Sequence, residues 1–342
     1  MSLSQMEIFN QYKSLARTYE LFQEKKTDIV SLTSKYDRFV FFGCGSSYYL
    51  AKSAAATANI YGAKGAAAIA AGDFIVNPAQ YTKMLDGTCV VFISRSGRTS
   101  EMLIAAELIR GAGINCAMLS ICATENAPLC EYTKLNIELP WAFDNSVCQT
   151  QTVSNLYVSL LLLMAARYGD KKLEAQLTRH IAAGDDYLAS LSECLKTLYT
   201  GGWEKAVVLC DGASAGIAEE AALAFNEICM MPSNYYHVLD VRHGPMVLIK
   251  EKTLVIILAS SAETERQVAL MNDMKALGGF TLVLAADDAF AEADMFIKIP
   301  DYDHSLAGLM LVNAIQVLTL GIANASGIDP DKPKGLDAWI KL

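Results

Sequence analysis

Two pairs of similar segments constrain the fold of this chain more than any other feature of its sequence. FVFFGCGSSYYLA at 39–51 is similar to AVVLCDGASAGIA at 206–218, and VVFISRSGRTSEM at 90–102 is similar to VIILASSAETERQ at 255–267. The two motifs are separated by nearly the same length of chain in both halves. A shared spacing over two motif pairs predicts two tandem copies of one domain.

Short apolar runs alternate with helix-like stretches along most of the chain. The runs predicted to be strands are Phe39–Phe42, Cys89–Ile93, Cys116–Ser120, Ala206–Leu209, Thr253–Leu258 and Thr281–Leu284. The stretches predicted to be helices are Ser47–Ala58, Ser100–Arg110, Ser214–Met230 and Glu265–Leu277. Continuous apolar strands are typical of a parallel sheet that is covered on both faces. Their alternation with helices predicts a doubly wound α/β fold in each copy.

The expected domain organisation follows from this repetition. Residues 1–34 are predicted to form a helical segment with Gln, Glu and Lys on its outer face, and 35–168 to form the first copy. The polar stretch 169–203 is expected to be a helical linker, and 204–342 to be the second copy with a C-terminal tail.

Composition excludes several classes of protein. Hydrophobic residues make up 53% of the 342 residues and charged residues 19%, which is too apolar for a disordered chain. The formal net charge of −9 argues against binding of nucleic acid, which needs a basic surface. The longest apolar runs, Val153–Ala166 and Leu306–Ile322, contain polar residues, so they are predicted to be buried helices rather than membrane spans.

The thiols and the N-terminus indicate a compartment. The first residues lack the apolar core of a signal peptide. The nine cysteines are scattered, with no C-x-x-C pair, which predicts reduced, buried thiols in a cytoplasmic protein. His180, His237 and His304 are too dispersed for a zinc site, and Tyr235 is expected to serve packing.

Two loops of the first copy have the composition of an anion site. GCGSS at 43–47 and SRSGRT at 94–99 each follow a predicted strand and open a predicted helix. Free amides at helix N-termini suit a phosphate, glycine allows close approach, and hydroxyls donate further hydrogen bonds. Neither loop has the G-x-G-x-x-G or G-K-[ST] pattern of a nucleotide site. The second copy has Ala259 and Ala262 where the first has Ser94 and Gly97, so we expect the anion site in the first copy alone.

GCGSS, SRSGRTSE and the Gln/Thr-rich helix start at 148–152 together resemble the sugar isomerase (SIS) domain family. With RHGP at 242–245, the tandem arrangement resembles the isomerase part of glucosamine-6-phosphate synthase, the related phosphosugar isomerases and the fructosamine-6-phosphate deglycases. The resemblance covers about residues 35–340. It implies two tandem SIS domains, each a mostly parallel, doubly wound, flavodoxin-like sheet flanked by helices.

The resemblance assigns substrate-binding residues. It implies that a substrate phosphate is held by four hydroxyl residues, Ser47, Ser94, Ser96 and Thr99, with help from Ser46 and from Arg95, the latter at least through its backbone amide. It also implies that Val147, Cys148 and Gln149 line the sugar. Arg98 stands where the synthase has a carboxylate, and is interpreted either as a cation beside the phosphate or as a solvated surface residue.

Glu227 and His243 are the candidate acid/base residues. A carboxylate on the apolar helix AALAFNEICMM is unusual, because burial is costly and raises the pKa of a carboxyl group. The residues alone leave structural alternatives open, namely an ion pair of Glu227 with Arg242 and a turn role for His243. The resemblance implies that Glu227 is the enolisation base and that His243, which can come from a neighbouring subunit, opens the sugar ring.

The tail DPDKPKGLDAWIKL departs from the synthase pattern. Ala338 stands where the synthase has a lysine, and Lys334 and Lys341 are out of register, so the synthase's own reaction is in question. With no N-terminal cysteine nucleophile and no preceding glutaminase domain, glutamine-driven amination is not expected.

The resulting expectation is a phosphosugar isomerase-type enzyme that acts on a sugar 6-phosphate through an enediol or enaminol. The outcome is ketose/aldose isomerisation, or deamination or deglycation of an amino-sugar or fructosamine 6-phosphate. We expect no metal or organic cofactor, no nucleic-acid or membrane partner, and a homodimer or higher oligomer. The alternative is a non-catalytic regulatory protein that binds a phosphosugar.

Overall fold

The computed structural model describes residues 2–336, which form two compact units. One unit contains residues 6–185, and the other contains residues 2–5 and 186–336. Each unit is built around one parallel sheet of five strands.

The strands of the first unit are β1 to β5: Phe39–Gly43, Ala66–Ala70, Thr88–Ser94, Cys116–Cys122 and Leu135–Glu138. They are all parallel and stand in the order β2-β1-β3-β4-β5. Val40 of β1 lies between Ala67 of β2 and Val90 of β3. The chain therefore leaves β1 to one side and returns on the other, which makes the gap between β1 and β3 the topological switch point where ligands of such sheets bind.

The helices that begin before or within this unit, α1 to α9, are Leu3–Glu24, Lys26–Thr33, Ser46–Ile60, Ala71–Val76, Pro78–Leu85, Ser100–Gly111, Gln151–Tyr168, Lys171–Ala182 and Gly184–Cys194. α3 follows β1 and α6 follows β3, so both helices begin at the switch point. Residues Gln151–Tyr168 of α7 are almost all buried, as the apolar run at 153–166 predicts.

The second unit repeats this topology. Its strands, β6 to β10, are Lys205–Leu209, Ser233–Tyr236, Thr253–Leu258, Phe280–Ala285 and Met295–Lys298. Its helices, α10 to α12, are Ala215–Ile228, Thr264–Ala276 and His304–Ala325. The order β7-β6-β8-β9-β10 matches that of the first sheet, strand for strand. The predicted pair of doubly wound α/β domains is therefore confirmed.

Buried side chains on the sheets and the facing helices form the core of each unit. Phe42, Val90 and Phe92 lie in one core, and Val207, Val255 and other aliphatic side chains lie in the other. Helix α12 is long and apolar enough to cross a membrane, but nearly all of its apolar stretch is buried in the structure. It is a core helix, as the run at 306–322 predicts.

The sequence predicted the central strands and missed the outer ones. β2, β5, β7 and β10 were not predicted, and all four are edge strands in which most side chains are half-exposed. β2 has the sequence AAAIA, and alanine has low strand propensity, so its position depends on pairing with β1.

The expectation of buried thiols is wrong for part of the set. All nine cysteines are free, but Cys194 is exposed, and Cys44, Cys116 and Cys130 are half-buried.

Candidate functional site

The first loop brings the start of α3 against the end of β1. A Cβ atom at Gly43 would lie 2.3 Å from the backbone C and O of Ser47 and 2.5 Å from the backbone N of Tyr48, so only glycine fits there. Gly45 precedes the helix with φ = 52°, which also favours glycine. As a result, the hydroxyls of Ser46 and Ser47 lie buried in the first turn of α3.

The second loop is organised by its own hydroxyls. Ser94 Oγ accepts a hydrogen bond from the N–H of Gly97 at 2.9 Å, and Ser96 Oγ accepts one from the N–H of Arg98 at 3.2 Å. Both hydroxyls keep their own proton available for donation to a ligand. Thr99 is the N-cap residue of α6, but its side chain makes no capping hydrogen bond. The Arg98 side chain is exposed, in line with the interpretation of a solvated surface residue.

Gly97 fixes this loop against the segment that follows β4. Its φ is 58°, and a Cβ atom there would lie 2.5 Å from Cβ of Ala127 and 3.1 Å from Sγ of Cys122. Its carbonyl accepts a hydrogen bond from the N–H of Leu129 at 3.2 Å.

We expect these two loops to form one site that favours an anion. α3 and α6 both begin at the switch point, and the helix dipole gives each N-terminus a partial positive charge. Cys44 lies between Gly43 and Gly45, where burial, with the charge of Glu101 as the second cause, raises the pKa of its thiol to about 12. The thiol is therefore neutral at pH 7 and does not repel a bound phosphate.

The side chain of Arg95 binds the protein backbone, which the sequence did not predict. Its side chain is 7% exposed, and its Nη1 donates to the carbonyls of Ser146 and Val147 at 3.2 and 3.1 Å. The guanidinium also lies 5.8 Å from the centre of the Phe143 ring. Arg95 thus ties the phosphate loop to the segment at 147–149 that was predicted to line the sugar.

Gln149 supplies an acceptor in that segment. Its Oε1 is buried and, within residues 2–336, has no hydrogen-bond partner. A buried amide oxygen without a partner is costly, so this atom is suited to accept a hydrogen bond from a ligand hydroxyl.

Two acidic side chains, Glu7 and Asp144, accept hydrogen bonds from the backbone on either side of the segment 147–149. Glu7 accepts hydrogen bonds from the N–H groups of Asn145 and Ser146 at 2.6 and 3.2 Å, and Asp144 accepts them from the N–H groups of Thr150 and Thr152 at 2.7 and 2.9 Å. The expectation that the glutamates of the N-terminal helix face outward is therefore wrong for Glu7, because its carboxylate satisfies buried backbone donors. The sequence offered no indication of either contact.

Asp144 makes the stability of this segment depend on pH. Burial, followed by the nearby charge of Glu7, raises the pKa of Asp144 from 3.8 to about 7. The folded state therefore favours the protonated form. The stabilising contribution of this group is complete below about pH 3.8 and is lost as the pH rises through about 7.

The Asp144→Asn variant tests this dependence, since an amide cannot ionise and its oxygen can still accept from Thr150 and Thr152. We expect the Tm of the variant, measured relative to wild type, to rise between about pH 4 and pH 7 and then to level off. Differential scanning calorimetry at closely spaced pH values measures it, with the exposed Asp186→Asn as control. A difference in Tm that does not change with pH would show that Asp144 is ionised throughout.

Glu227 lies in the second unit, near the end of α10. It is half-buried rather than fully buried. The fully buried carboxylate of this helix is Glu220, which is 3% exposed. Arg242, the alternative partner considered for Glu227, instead donates from Nη2 to Asp273 Oδ2 at 2.5 Å.

His243 follows a short 3₁₀ helix, Asp240–Arg242, and its side chain is exposed. Its backbone N–H donates to the carbonyl of Asp240 at 2.9 Å. Val247 and Leu248 are 85% and 46% exposed, so the segment that carries His243 also presents an apolar surface.

The sequence missed a polar cluster at the carboxyl end of the second sheet. Asp211 Oδ1 lies 2.8 Å from Nδ1 of His237, and the carbonyl of Asp211 lies 3.0 Å from Nε2 of His304. The Tyr235 hydroxyl donates to the carbonyl of Cys210 at 3.0 Å and lies 3.1 Å from His237 Nδ1, so Tyr235 does more than pack. Only the position of Asp211, in the loop equivalent to GCGSS, could have indicated this cluster.

Ala338 and Lys341, on which the comparison with the synthase tail depended, lie outside the described residues. Within residues 2–336, no group of three or more His, Cys, Asp or Glu side chains has an arrangement that could hold a metal ion.

The sequence matches the SIS domain over residues 31–166 and again over 202–322. The chain therefore belongs to the SIS domain family and contains the domain twice, which confirms the resemblance that the motifs indicated.

Curated relatives extend the comparison. The glutamine–fructose-6-phosphate aminotransferase (isomerizing) of Vibrio cholerae is 26% identical, over 97% of this chain and 57% of its own length. The corresponding protein of Pyrococcus horikoshii is 25% identical, over 96% of this chain and 56% of its own length. The chain thus spans little more than half the length of these relatives.

Solved structures share the fold over nearly the whole chain. Glucosamine-6-phosphate deaminase from Thermotoga maritima superimposes with a TM-score of 0.81 at 24% identity and covers 100% of both chains. Tagatose-6-phosphate ketose/aldose isomerase from Escherichia coli gives a TM-score of 0.84 at 21% identity, with 98% of this chain and 96% of that chain covered. At these identities the similarity shows the fold.

Proposed function

We propose that this protein is a phosphosugar isomerase-type enzyme that acts on a sugar 6-phosphate. The observation that carries the proposal is the meeting of two helix N-termini at the switch point of the first sheet, each with buried or half-buried hydroxyls in its first turn or N-cap. Such a site suits a dianionic phosphate. The names of the aminotransferase, deaminase and isomerase relatives described above refer to sugar phosphates and support the same class of ligand.

In the proposed mechanism the phosphate anchors the substrate and acid/base residues act on its carbonyl end. Ser46, Ser47, Ser94, Ser96 and Thr99 donate hydrogen bonds to the phosphate, while Arg95 holds the 147–149 segment in place for the sugar. His243 opens the sugar ring, and Glu227 moves a proton between C1 and C2.

An enediol or enaminol results, from which isomerisation, deamination or deglycation can proceed. The carbonyl itself acidifies the proton, so the proposed chemistry needs no metal or organic cofactor, and it does not include glutamine hydrolysis.

We also propose a cytoplasmic homodimer or higher oligomer. The exposed apolar side chains of Val247 and Leu248, beside the exposed His243, support packing of this segment against a second copy of the chain.

Removal of single hydroxyls tests the phosphate site. We expect hexose, amino-hexose or fructosamine 6-phosphate to raise the Tm of the wild type, while the unphosphorylated sugars do not.

A hydrogen bond to a charged group contributes about 1.5–3 kcal/mol, so Ser47→Ala and Thr99→Val should each weaken the Kd for the bound phosphosugar by about 10- to 100-fold. Isothermal titration calorimetry measures the Kd.

The matched control is Thr57→Val. Thr57 lies near the other end of α3, and its hydroxyl donates to the carbonyl of Ser53 at 2.8 Å, so its loss should leave the Kd unchanged. Equal loss of affinity in all three variants, or no binding of any sugar 6-phosphate by the wild type, would refute the phosphate site.

A further inference from the structure

Residues 143–150 contain the segment proposed to line the sugar, yet they form neither a helix nor a strand. Their backbone N–H and C=O groups therefore need partners from outside regular secondary structure. Ser146, near the centre of this stretch, is 1% exposed. Its N–H and its carbonyl are both bound by charged side chains that come from distant parts of the sequence. The conformation of the segment thus depends on long-range contacts.

Glu7 and Arg95, which we call the clamp, bind the donors and the acceptors of the same stretch of backbone. Glu7 Oε1 accepts hydrogen bonds from the N–H groups of Asn145 and Ser146 at 2.6 and 3.2 Å, and Glu7 Oε2 accepts one from the Ser146 hydroxyl. Arg95 Nη1 donates to the carbonyls of Ser146 and Val147 at 3.2 and 3.1 Å. Both residues of the clamp are 7% exposed. Hydrogen bonds to charged groups are stronger than those between neutral groups, so the clamp fixes this stretch firmly.

The clamp connects the phosphate loop to an acceptor that has no partner. The carbonyl of Arg95 accepts a hydrogen bond from the N–H of Ala123 at 3.0 Å, which fixes Arg95 within the loop. On the other side, Ser146 Oγ lies 2.9 Å from the carbonyl of Cys148, the residue before Gln149. Gln149 Oε1 is buried and has no hydrogen-bond partner in the described part of the chain. The clamp therefore sets where this oxygen lies relative to the loop.

We propose that Glu7 is a positioning residue that sets the selectivity of the site for the sugar, and that it acts through Gln149. With the clamp intact, Gln149 Oε1 accepts a hydrogen bond from a hydroxyl or amino group of a sugar whose phosphate is held by the two loops. A ligand without a donor at that place leaves the buried oxygen unpaired, which is costly, so the site discriminates against it. This role rests on the proposed function, whereas the clamp itself does not.

Hydrogen–deuterium exchange tests the clamp without any ligand. In Glu7→Ala the amides at 145 and 146 lose their acceptor, so they should exchange about 10-fold faster than in the wild type, with Glu7→Gln between the two. The amide of Thr152, which a different carboxylate binds at 2.9 Å, should keep its protection and so report that the variant is folded. Mass spectrometry at single-amide resolution measures the rates.

The matched control is Glu20→Ala, which changes an exposed glutamate on the same helix, α1, and should leave exchange at 145 and 146 unchanged. Wild-type exchange at both amides in folded Glu7→Ala would overturn the clamp. If Glu7→Ala does not fold, the same comparison is made with Glu7→Gln, which keeps the shape of the side chain and removes its charge.

A double-mutant cycle tests the positioning role. Isothermal titration calorimetry is carried out with whichever of the hexose, amino-hexose and fructosamine 6-phosphates binds the wild type most tightly. We expect Gln149→Ala and Glu7→Ala each to weaken the Kd by about 10-fold. The double variant should lose no more than either single variant, because both changes remove the same contact. Losses that multiply in the double variant would overturn the action of Glu7 through Gln149.

Inorganic phosphate distinguishes a role in sugar selectivity from a role in the fold. Phosphate, used as a competitor of the phosphosugar, reaches only the two loops, so its inhibition constant should be the same in the wild type and in Glu7→Ala. An equal loss of affinity for phosphate and for the phosphosugar would show that Glu7 supports the fold alone, and would overturn the positioning role. If the wild type binds no sugar 6-phosphate, the proposed function fails, and hydrogen exchange still decides the clamp.

Discussion

Replacement of Glu227 by glutamine is expected to lower turnover of the phosphosugar by about 10²–10⁴-fold, the usual contribution of a general acid or base. Glutamine keeps the shape of the side chain but cannot accept the proton that must leave C1 or C2. Since we propose that other residues make the phosphate contacts, the Kd for the substrate should change little. A large loss of rate with retained binding is the result that distinguishes a base from a residue that supports the fold.

The measurement can be made before the final product is known. Isomerisation, deamination and deglycation would all pass through an enediol or enaminol, so each exchanges a carbon-bound proton with solvent. ¹H NMR in D₂O should show loss of the C1 or C2 proton signal with the wild type and its persistence with Glu227→Gln.

The control is Glu219→Gln, which changes a half-buried carboxylate on the same helix, α10, and should exchange at the wild-type rate. If the wild type itself binds a phosphosugar but neither turns it over nor exchanges its protons, the protein is a regulator rather than an enzyme.

Gly43→Ala is expected to be strongly destabilising in the first unit. The new Cβ would lie 2.3 Å from backbone atoms of Ser47, so the start of α3 would have to move away from β1. Overpacking against backbone costs about 3 kcal/mol, which corresponds to a fall in Tm of about 6–12 °C for a unit of this size. Displacement of α3 should also abolish phosphosugar binding, because we propose that its N-terminus forms half of the anion site.

Gly111→Ala provides the comparison for this stability effect. Gly111 is the last residue of α6, and a Cβ atom there would have no neighbour within 4 Å. Alanine in a helix is more stable than glycine by about 0.5–1 kcal/mol, so the Tm should stay constant or rise slightly. Differential scanning calorimetry measures the Tm of both variants and of the wild type. An unchanged Tm for Gly43→Ala would mean that β1 and α3 are not packed as described.

The strands and loops that depend only on the local sequence could be predicted. The strands β1 and β3 are continuous apolar runs with a glycine- or serine-rich turn after each, so both the strands and the position of the two loops could be predicted before the structure. The strand Ala66–Ala70 could not, because nothing in AAAIA favours a strand until it pairs with β1.

The supports of the candidate site were also beyond prediction, because they depend on contacts between residues far apart in the chain. Glu7 looks like a solvent-facing residue of a polar helix, yet its carboxylate binds backbone N–H groups at 145 and 146. The side chain of Arg95 reaches Ser146 and Val147 in the same way. The motif SRSGRT predicted that Arg95 is near a ligand, but not that its guanidinium is occupied by the protein itself.

The duplication of the sheet bears on the number of ligands that one chain can bind. A repeated fold with two intact loops would take up two ligands, one for each sheet. In this chain the neutral Cys44 of the first copy corresponds to Asp211 of the second, and Arg98 corresponds to Glu263. The second loop set thus carries acidic groups where the first set carries a thiol and a cation, and a phosphate dianion would be repelled there. Saturation should therefore be reached at a stoichiometry of one phosphosugar per polypeptide, whatever the size of the oligomer.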